Sequence, residues 1–263
     1  MNPTKERSTP GPTANASAFM AARDLASHGF FLTPLLQPGF DVLDAGCGPG
    51  TITTGIAEAV FPARVTAVDI SRAQLETVRR LAQGREIVNM DFVAASAIRL
   101  PFADHSFDVV FAHALLEHLR EPEQAVREFH RVTRPGGFIA LCSPDWDNFQ
   151  LEPHPPRVAR ALTAYRNIQE RNGGNTRAGA MLRNWITTAG FTPLSDAEWI
   201  EEYECPRWIA EYLAVQLANA GEFHHATTLR EWAAQLGARF SQSWKFATGV
   251  RADEFKGCRL VME

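Results

Sequence analysis

Val42-Leu43-Asp44-Ala45-Gly46-Cys47-Gly48-Pro49-Gly50 decides the fold of this chain. Two branched apolar residues and an acid run into glycines at every second position. Such a stretch reads as a buried parallel strand that ends in a turn too crowded for side chains. A helix is expected from about Thr51, with its free N–H groups and the positive end of its dipole facing whatever sits on the turn. Open α/β sheets bind ligands outside the carboxyl ends of their strands. Gly46, Cys47, Gly48 and Gly50 are therefore the first candidate binding residues. Asp44 is a carboxylate that either attracts a ligand's ammonium or caps the following turn.

Working outward, Val65-Thr66-Ala67-Val68-Asp69-Ile70 is a second short apolar strand ending in an acid, nineteen residues after Gly50. A carboxylate at that strand tip is well placed to accept hydrogen bonds from both hydroxyls of a ribose. A nicotinamide-dinucleotide fingerprint would need a third glycine where this chain has Thr51. The loop also lacks a basic residue to meet a pyrophosphate. An adenosyl ligand without phosphates fits better.

Leu100-Pro101-Phe102 precedes Ser106-Phe107-Asp108-Val109-Val110, and Arg134-Pro135-Gly136-Gly137 leads into Phe138-Ile139-Ala140-Leu141. With Val42 to Gly50 and Asp69, these four motifs resemble the class I S-adenosylmethionine-dependent methyltransferases, in their type 11, ubiquinone-biosynthesis-like group. The resemblance covers residues 23 to 145. It extends more weakly through Asn172-Gly173-Gly174 and Ala189-Gly190-Phe191. It implies a Rossmann-like, mostly parallel sheet of seven strands with helices on both faces and a helical lid inserted after strand five. It also implies S-adenosylmethionine as cofactor, held by the glycine turn, Asp69 and Ile70. Family members commonly carry an acid that meets the adenine amine where this chain has Ser96, while the next backbone N–H, here that of Ala97, meets a ring nitrogen. Serine can still accept that bond, weaker by about 1 kcal/mol because it is neutral.

Composition narrows the function classes. The 263 residues are 45% hydrophobic and 21% charged, with a formal charge of −4. That balance argues against a nucleic acid as main partner. No apolar run reaches the roughly 18 residues of a membrane span. Met1 to Thr13 is polar, holds three prolines and is expected to be a disordered leader rather than a secretory signal. Residues 14 to 263 then form one domain. Its core is expected at about 23–145, 186–200 and 241–251, with acceptor-binding insertions at about 146–185 and 201–240. Cys47, Cys142, Cys205 and Cys258 form no Cys-x-x-Cys pair, so reduced thiols and a cytoplasmic protein are expected, with no metal site. Arg127, Arg131 and Arg134 read as a solvated helix face.

Periodicity predicts further elements. A leading helix is expected over 17–27, and a helix capped by Ser71 and Gln74 buries Leu75, Val78 and Ala82. Strands are expected over 91–95 and 107–112, and a helix after Pro122 buries Ala125, Val126, Phe129 and Val132. Beyond the fifth strand, helices are expected through Val158 to Ile168 and over 177–188, 206–218 and 228–239. Strands over 191–198 and 244–251 complete the sheet.

The catalytic candidates are His113 and His118, just past the fourth strand. His113 and Glu117, four apart, would share a helix face. His113 would line the methyl site or act as base. His28 would close over the cofactor or serve as a helix C-terminal cation, and Trp146 would stack on an acceptor ring, wall off solvent or pack in the core. Methyl transfer from a sulfonium is an in-line displacement, so the protein mainly aligns an acceptor lone pair and excludes water. A base is needed only where the acceptor must lose a proton. The expected reaction moves a methyl group to oxygen, nitrogen or carbon of a small, partly apolar organic acceptor. A nicotinamide-dependent oxidoreductase and a non-catalytic S-adenosylmethionine-binding protein are the alternatives.

Overall fold

The computed structural model describes residues 14–203 and 205–252. The expected leader and Cys258 lie outside the described residues. Strands β1 (Val42–Ala45), β2 (Val65–Asp69), β3 (Met90–Ala94), β4 (Phe107–His113), β5 (Thr133–Glu152), β6 (Phe191–Tyr203) and β7 (Arg239–Arg251) form one sheet in the order β3-β2-β1-β4-β5-β7-β6. The first five pair in parallel, and β7 runs antiparallel between β5 and β6. From β1 the chain winds outward to β2 and β3, then crosses back to β4 on the other side. The strand order thus reverses between β1 and β4, which puts the glycine turn at the point where such sheets bind ligands.

Alternation along β1 divides the core. Leu43 packs with Val110, Ile139 and Leu141 under helices α5 (Pro122–Val132) and α7 (Ala178–Thr188). Val42 faces the other way, with Val65, Ala67 and Phe111 under α3 (Thr51–Val60) and α4 (Arg72–Gly84). As expected, Ser71 caps α4 by accepting from the Gln74 N–H at 3.4 Å.

The leading helix is two helices. α1 (Ala14–Ala21) stops, and α2 (Leu25–His28) restarts on a reciprocal cap: the Ser27 N–H donates to Asp24 Oδ1 at 2.8 Å and the Asp24 N–H to Ser27 Oγ at 3.1 Å. Asp24 offers the backbone a better partner than continued helix, which breaks the run.

Past the carboxyl edge of the sheet, β5, β6 and β7 continue as a three-stranded extension. Glu152 still pairs with Arg239, and Tyr203 with Phe240. This extension carries α6 (Pro156–Arg171), α8 (Pro206–Asn219) and α9 (Phe223–Ala233), packed around Trp146, Leu162, Tyr165, Leu217, Trp232 and Phe240 as a core of their own. Trp146 is thus a canopy core residue, 5.0 Å from the Tyr165 ring. α7, inside the stretch expected as an insertion, packs on the sheet.

Two expectations need correction. The last lid helix ends at Ala233 rather than near Arg239, because a turn with Gly237 at φ +78° sends the chain into β7 early. Nor are all three arginines simply solvated. Arg131 donates to Glu128, Asp104 and the carbonyls of Leu100 and Phe102, and Arg134 bridges Asp41 and Asp108. Among the described residues no helix is long and apolar enough to cross a membrane.

Candidate active site

The turn after β1 is gripped from two sides and bare in the middle. Gly46, Gly48 and Gly50 take φ +78°, +52° and +84°. A Cβ on Gly50 would lie 2.4 Å from Val78 Cγ1 of α4, and one on Gly46 would lie 2.9 Å from Leu115 Cδ1. On Gly48 only Met20 Sδ comes near, at 3.9 Å. The backbone N–H groups of Gly46 and Cys47 both donate to Val68 O, at 2.7 and 3.0 Å, which ties the turn to β2. The Cys47 thiol is buried, and burial pushes its pKa well up, so Cys47 offers the site backbone rather than a nucleophile.

Asp69 is pre-set by two backbone donors. Its Oδ2 accepts from the Gly48 N–H at 3.1 Å and its Oδ1 from the Ser71 N–H at 2.8 Å. Burial raises its pKa, partly offset by the N–H groups of Ser71, Gly48 and Ile70. Each oxygen keeps a lone pair for a further donor. Ile70 beside it is 54% exposed at the same edge. Ala95 N donates to Asp69 O at 3.2 Å, so the tips of β2 and β3 meet and bring the Ser96–Ala97 segment alongside. Ser96 Oγ accepts from the Ile98 N–H at 3.4 Å, and Ala97 is buried. A bare turn beside a carboxylate with open lone pairs fits an adenosyl ligand. Asp44 lies beneath the turn, where Thr53 Oγ1 donates to its Oδ2 at 2.6 Å.

His113 ends β4 and does not share a helix face with Glu117. Ala114 takes φ +52°, a strained conformation for a residue with a side chain, and turns the chain into a 3-10 segment, Leu116–His118. That kink lays Leu115 against Gly46. His113 stacks on Trp244 of β7, 5.1 Å between ring centres, and its buried Nε2 has no hydrogen-bond partner among the described residues. Burial, with help from Arg23 and His28, pushes its pKa well below the usual histidine range, so the ring is neutral.

His118 is likewise held low, at about 4, by burial and then Arg23; its Nε2 lies 3.8 Å from Glu117 Oε1. Glu117 is 2% exposed and accepts from Ser143 Oγ at 2.9 Å. Its main-chain carbonyl takes the Gln169 side chain and the Asn175 N–H, at 3.0 and 2.9 Å, so the segment after Asn172-Gly173-Gly174 fastens this corner. His28 reaches Glu201 Oε1 of β6 at 3.3 Å and sits edge-on to His113, 5.6 Å between centres.

Sequence reasoning missed Arg23 and Glu201, and Trp244, legible as the start of the last strand, proves to stack on His113. Arg23 is 9% exposed, with its guanidinium over Trp244 and Phe19 at 4.6 and 5.2 Å, and its carbonyl accepts from Thr51 Oγ1 at the start of α3. An arginine next to the Asp24 cap was the available signal. Glu201 carried none, because it lies on an extension of β6 beyond the strand expected over 191–198.

Burial dominates two carboxyls, Asp44 and Glu117, and pushes each up to about 7 from ordinary values near 4. A folded pKa above the unfolded one gives stability that is present at low pH and lost as pH rises through the folded value. The depressed histidines act in the opposite sense, and only below about pH 6.5. Between about pH 6.5 and 8 the ligand-free protein should therefore lose stability, by about 1 kcal/mol for each carboxyl, or roughly 2–4 °C in Tm. Glu117→Gln should remove about half of that slope. Equal slopes in thermal melts of wild type and variant would show that Glu117 ionises freely.

Comparison with known proteins agrees with this geometry. Residues 43–141 match the family model described as a methyltransferase domain. An uncharacterised methyltransferase of Schizosaccharomyces pombe is 30% identical over 193 residues, 69% of this chain and 69% of its own. The 27-O-demethylrifamycin SV methyltransferase of Amycolatopsis mediterranei is 32% identical over 177 residues, 66% of this chain and 61% of its own. A solved structure from Bacillus halodurans, of a protein assigned to the methyltransferases, superposes with a TM-score of 0.66 at 17% identity, covering 87% of this chain and 99% of that one. The chain belongs to the class I S-adenosylmethionine-dependent methyltransferases. It spans 44% of one curated relative and less than two thirds of several others.

Proposed function

We propose that this protein transfers a methyl group from S-adenosylmethionine to oxygen, nitrogen or carbon of a small, partly apolar organic acceptor in the cytoplasm. The observation that carries the reading is the bare turn of Gly46 to Gly50 coupled by a hydrogen bond to Asp69, a cradle for an adenosyl group. When bound, S-adenosylmethionine supplies a methyl already activated by its positive sulfur. Asp69 holds the ribose hydroxyls, Ile70 and the Ser96–Ala97 segment flank the adenine, and Gly48 with Cys47 lets backbone approach the methionine half. Asp44 and Glu117 lie beneath and beside that half, where nearby positive charge favours their ionised forms.

His113 stands at the β4 tip with a buried Nε2 that has no partner among the described residues, which leaves that nitrogen available for a proton of the acceptor, although burial weakens it as a base. A cytoplasmic setting is supported by Cys47, Cys142 and Cys205, which form no disulfide among the described residues. A small acceptor is in keeping with the rifamycin-class substrate in the name of the Amycolatopsis relative.

The test is transfer of labelled methyl from S-adenosylmethionine into a metabolite extract. Label should enter a low-molecular-weight product. His113→Ala should lower turnover at least tenfold while cofactor affinity changes little, the size of effect typical for loss of a positioned base. Absence of any labelled product would remove the enzyme reading. Equal turnover at every pH would leave His113 a wall residue.

A further inference from the structure

A pocket of about 170 Å³ opens between α1, the end of β6 and the start of α8, lined by Phe19, Arg23, His28, Glu201, Tyr203 and Trp208. Trp208, 57% exposed, stands at its mouth, and the buried Arg23 and His28 form its inner wall. Charge inside it is unevenly satisfied. Glu201 is fully engaged, accepting from Tyr203 Oη at 2.8 Å and facing His28 Nε2 at 3.3 Å. The Arg23 guanidinium has aromatic faces beside it but no carboxylate within ion-pair distance among the described residues. Glu201 attracts the guanidinium only from beyond ion-pair distance, so a buried cation is left without a direct partner, and an anion entering the pocket would supply one.

Size and wall chemistry narrow that anion. A cavity of about 150 Å³ accepts one benzene ring. Phe19, Tyr203 and Trp208 present aromatic surface, which suits a flat apolar body with one charged end. The pocket also lies beside the methyl-transfer edge. Arg23 is hydrogen-bonded through its carbonyl to Thr51 at the glycine turn, and His28 touches the His113 ring.

Resting on the methyltransferase reading above, we propose that this pocket takes the acceptor, and that the acceptor is a single-ring organic anion whose carboxylate or equivalent acidic group pairs with Arg23. Glu201, held by His28 and Tyr203, shapes the opposite wall and repels a second negative charge. The pocket therefore selects anionic over neutral or cationic molecules of the same outline.

Calorimetry on the full chain saturated with S-adenosylhomocysteine tests this, with benzoate, benzamide and benzylamine as probes. Benzoate should bind at least tenfold more tightly than benzamide, and benzylamine more weakly than either. Arg23→Gln should abolish the preference for benzoate, and Arg23→Lys should keep part of it. Glu201→Gln should tighten benzoate several-fold, an arm that holds if the arginine variants fail to fold. Equal binding of benzoate and benzamide overturns the proposal. So does an Arg23→Gln variant that loses S-adenosylhomocysteine while keeping benzoate, because the guanidinium would then serve the cofactor. Failure of wild type to bind S-adenosylhomocysteine would count against the methyltransferase reading instead.

Discussion

Asp69→Ala weakens S-adenosylmethionine binding at least tenfold. The carboxylate is already oriented by the Gly48 and Ser71 N–H groups, so it meets two ribose hydroxyls without reorganisation. Charge-assisted hydrogen bonds of this kind contribute roughly 1.5–3 kcal/mol each, and incomplete additivity gives an expected loss of about 2–4 kcal/mol. The change has a second effect. Alanine releases the Gly48 N–H, a third link between the turn and β2 beside those of Gly46 and Cys47, and so loosens the cradle as well as removing its acceptor. Calorimetry with S-adenosylmethionine and S-adenosylhomocysteine should show the loss for both ligands, since both carry the ribose. NADH should bind neither protein. An unchanged dissociation constant would take Asp69 off the ribose.

Gly50→Ala should cost the fold more than any surface change. Two penalties add at this position. The residue sits at φ +84°, where a side chain costs roughly 1–2 kcal/mol, and its Cβ would lie 2.4 Å from Val78 Cγ1 in the helix behind. Overpacking of that kind typically costs about 1–3 kcal/mol, so a total of about 2–5 kcal/mol is expected. Thermal melts and denaturant titrations measure it. Gly48→Ala is the useful contrast, since it meets the backbone penalty with only Met20 nearby. Equal Tm losses for the two variants would show that α4 gives way and that the contact with Val78 matters little.

These two positions also show what was legible beforehand. The glycine spacing and the acid nineteen residues on expose the cofactor edge, because a positive φ and a crowded turn leave residue types few alternatives. Capping at Ser71 and the apolar face of α5 were equally readable, since local chemistry sets them. The canopy was harder. β6 is an edge strand whose outer face carries Asp196, Glu198 and Glu202, and charges of that kind hide a strand while protecting its edge. In β7, Ser241, Gln242 and Ser243 interrupt the apolar alternation, so only the half from Trp244 onward looked extended. Arg23 and Glu201 lie far apart in the chain and come to line one pocket through the extension of β6, a long-range fact with no local trace. The kink at Ala114 likewise turned an apparent helix face into a strand tip, and no glycine or proline announced it.

The β5–β7–β6 ladder has a mechanical consequence. It shifts register between Asp145 and Phe149 and between Pro193 and Ser195 and then resumes, so the roof could lose its tie to the sheet only by breaking main-chain bonds such as those between Glu152 and Arg239. The short amino-terminal helices are tied to both parts, with Phe19 in the core of the roof, Thr51 on the Arg23 carbonyl and His28 on Glu201, so they join roof and glycine turn across the front of the site.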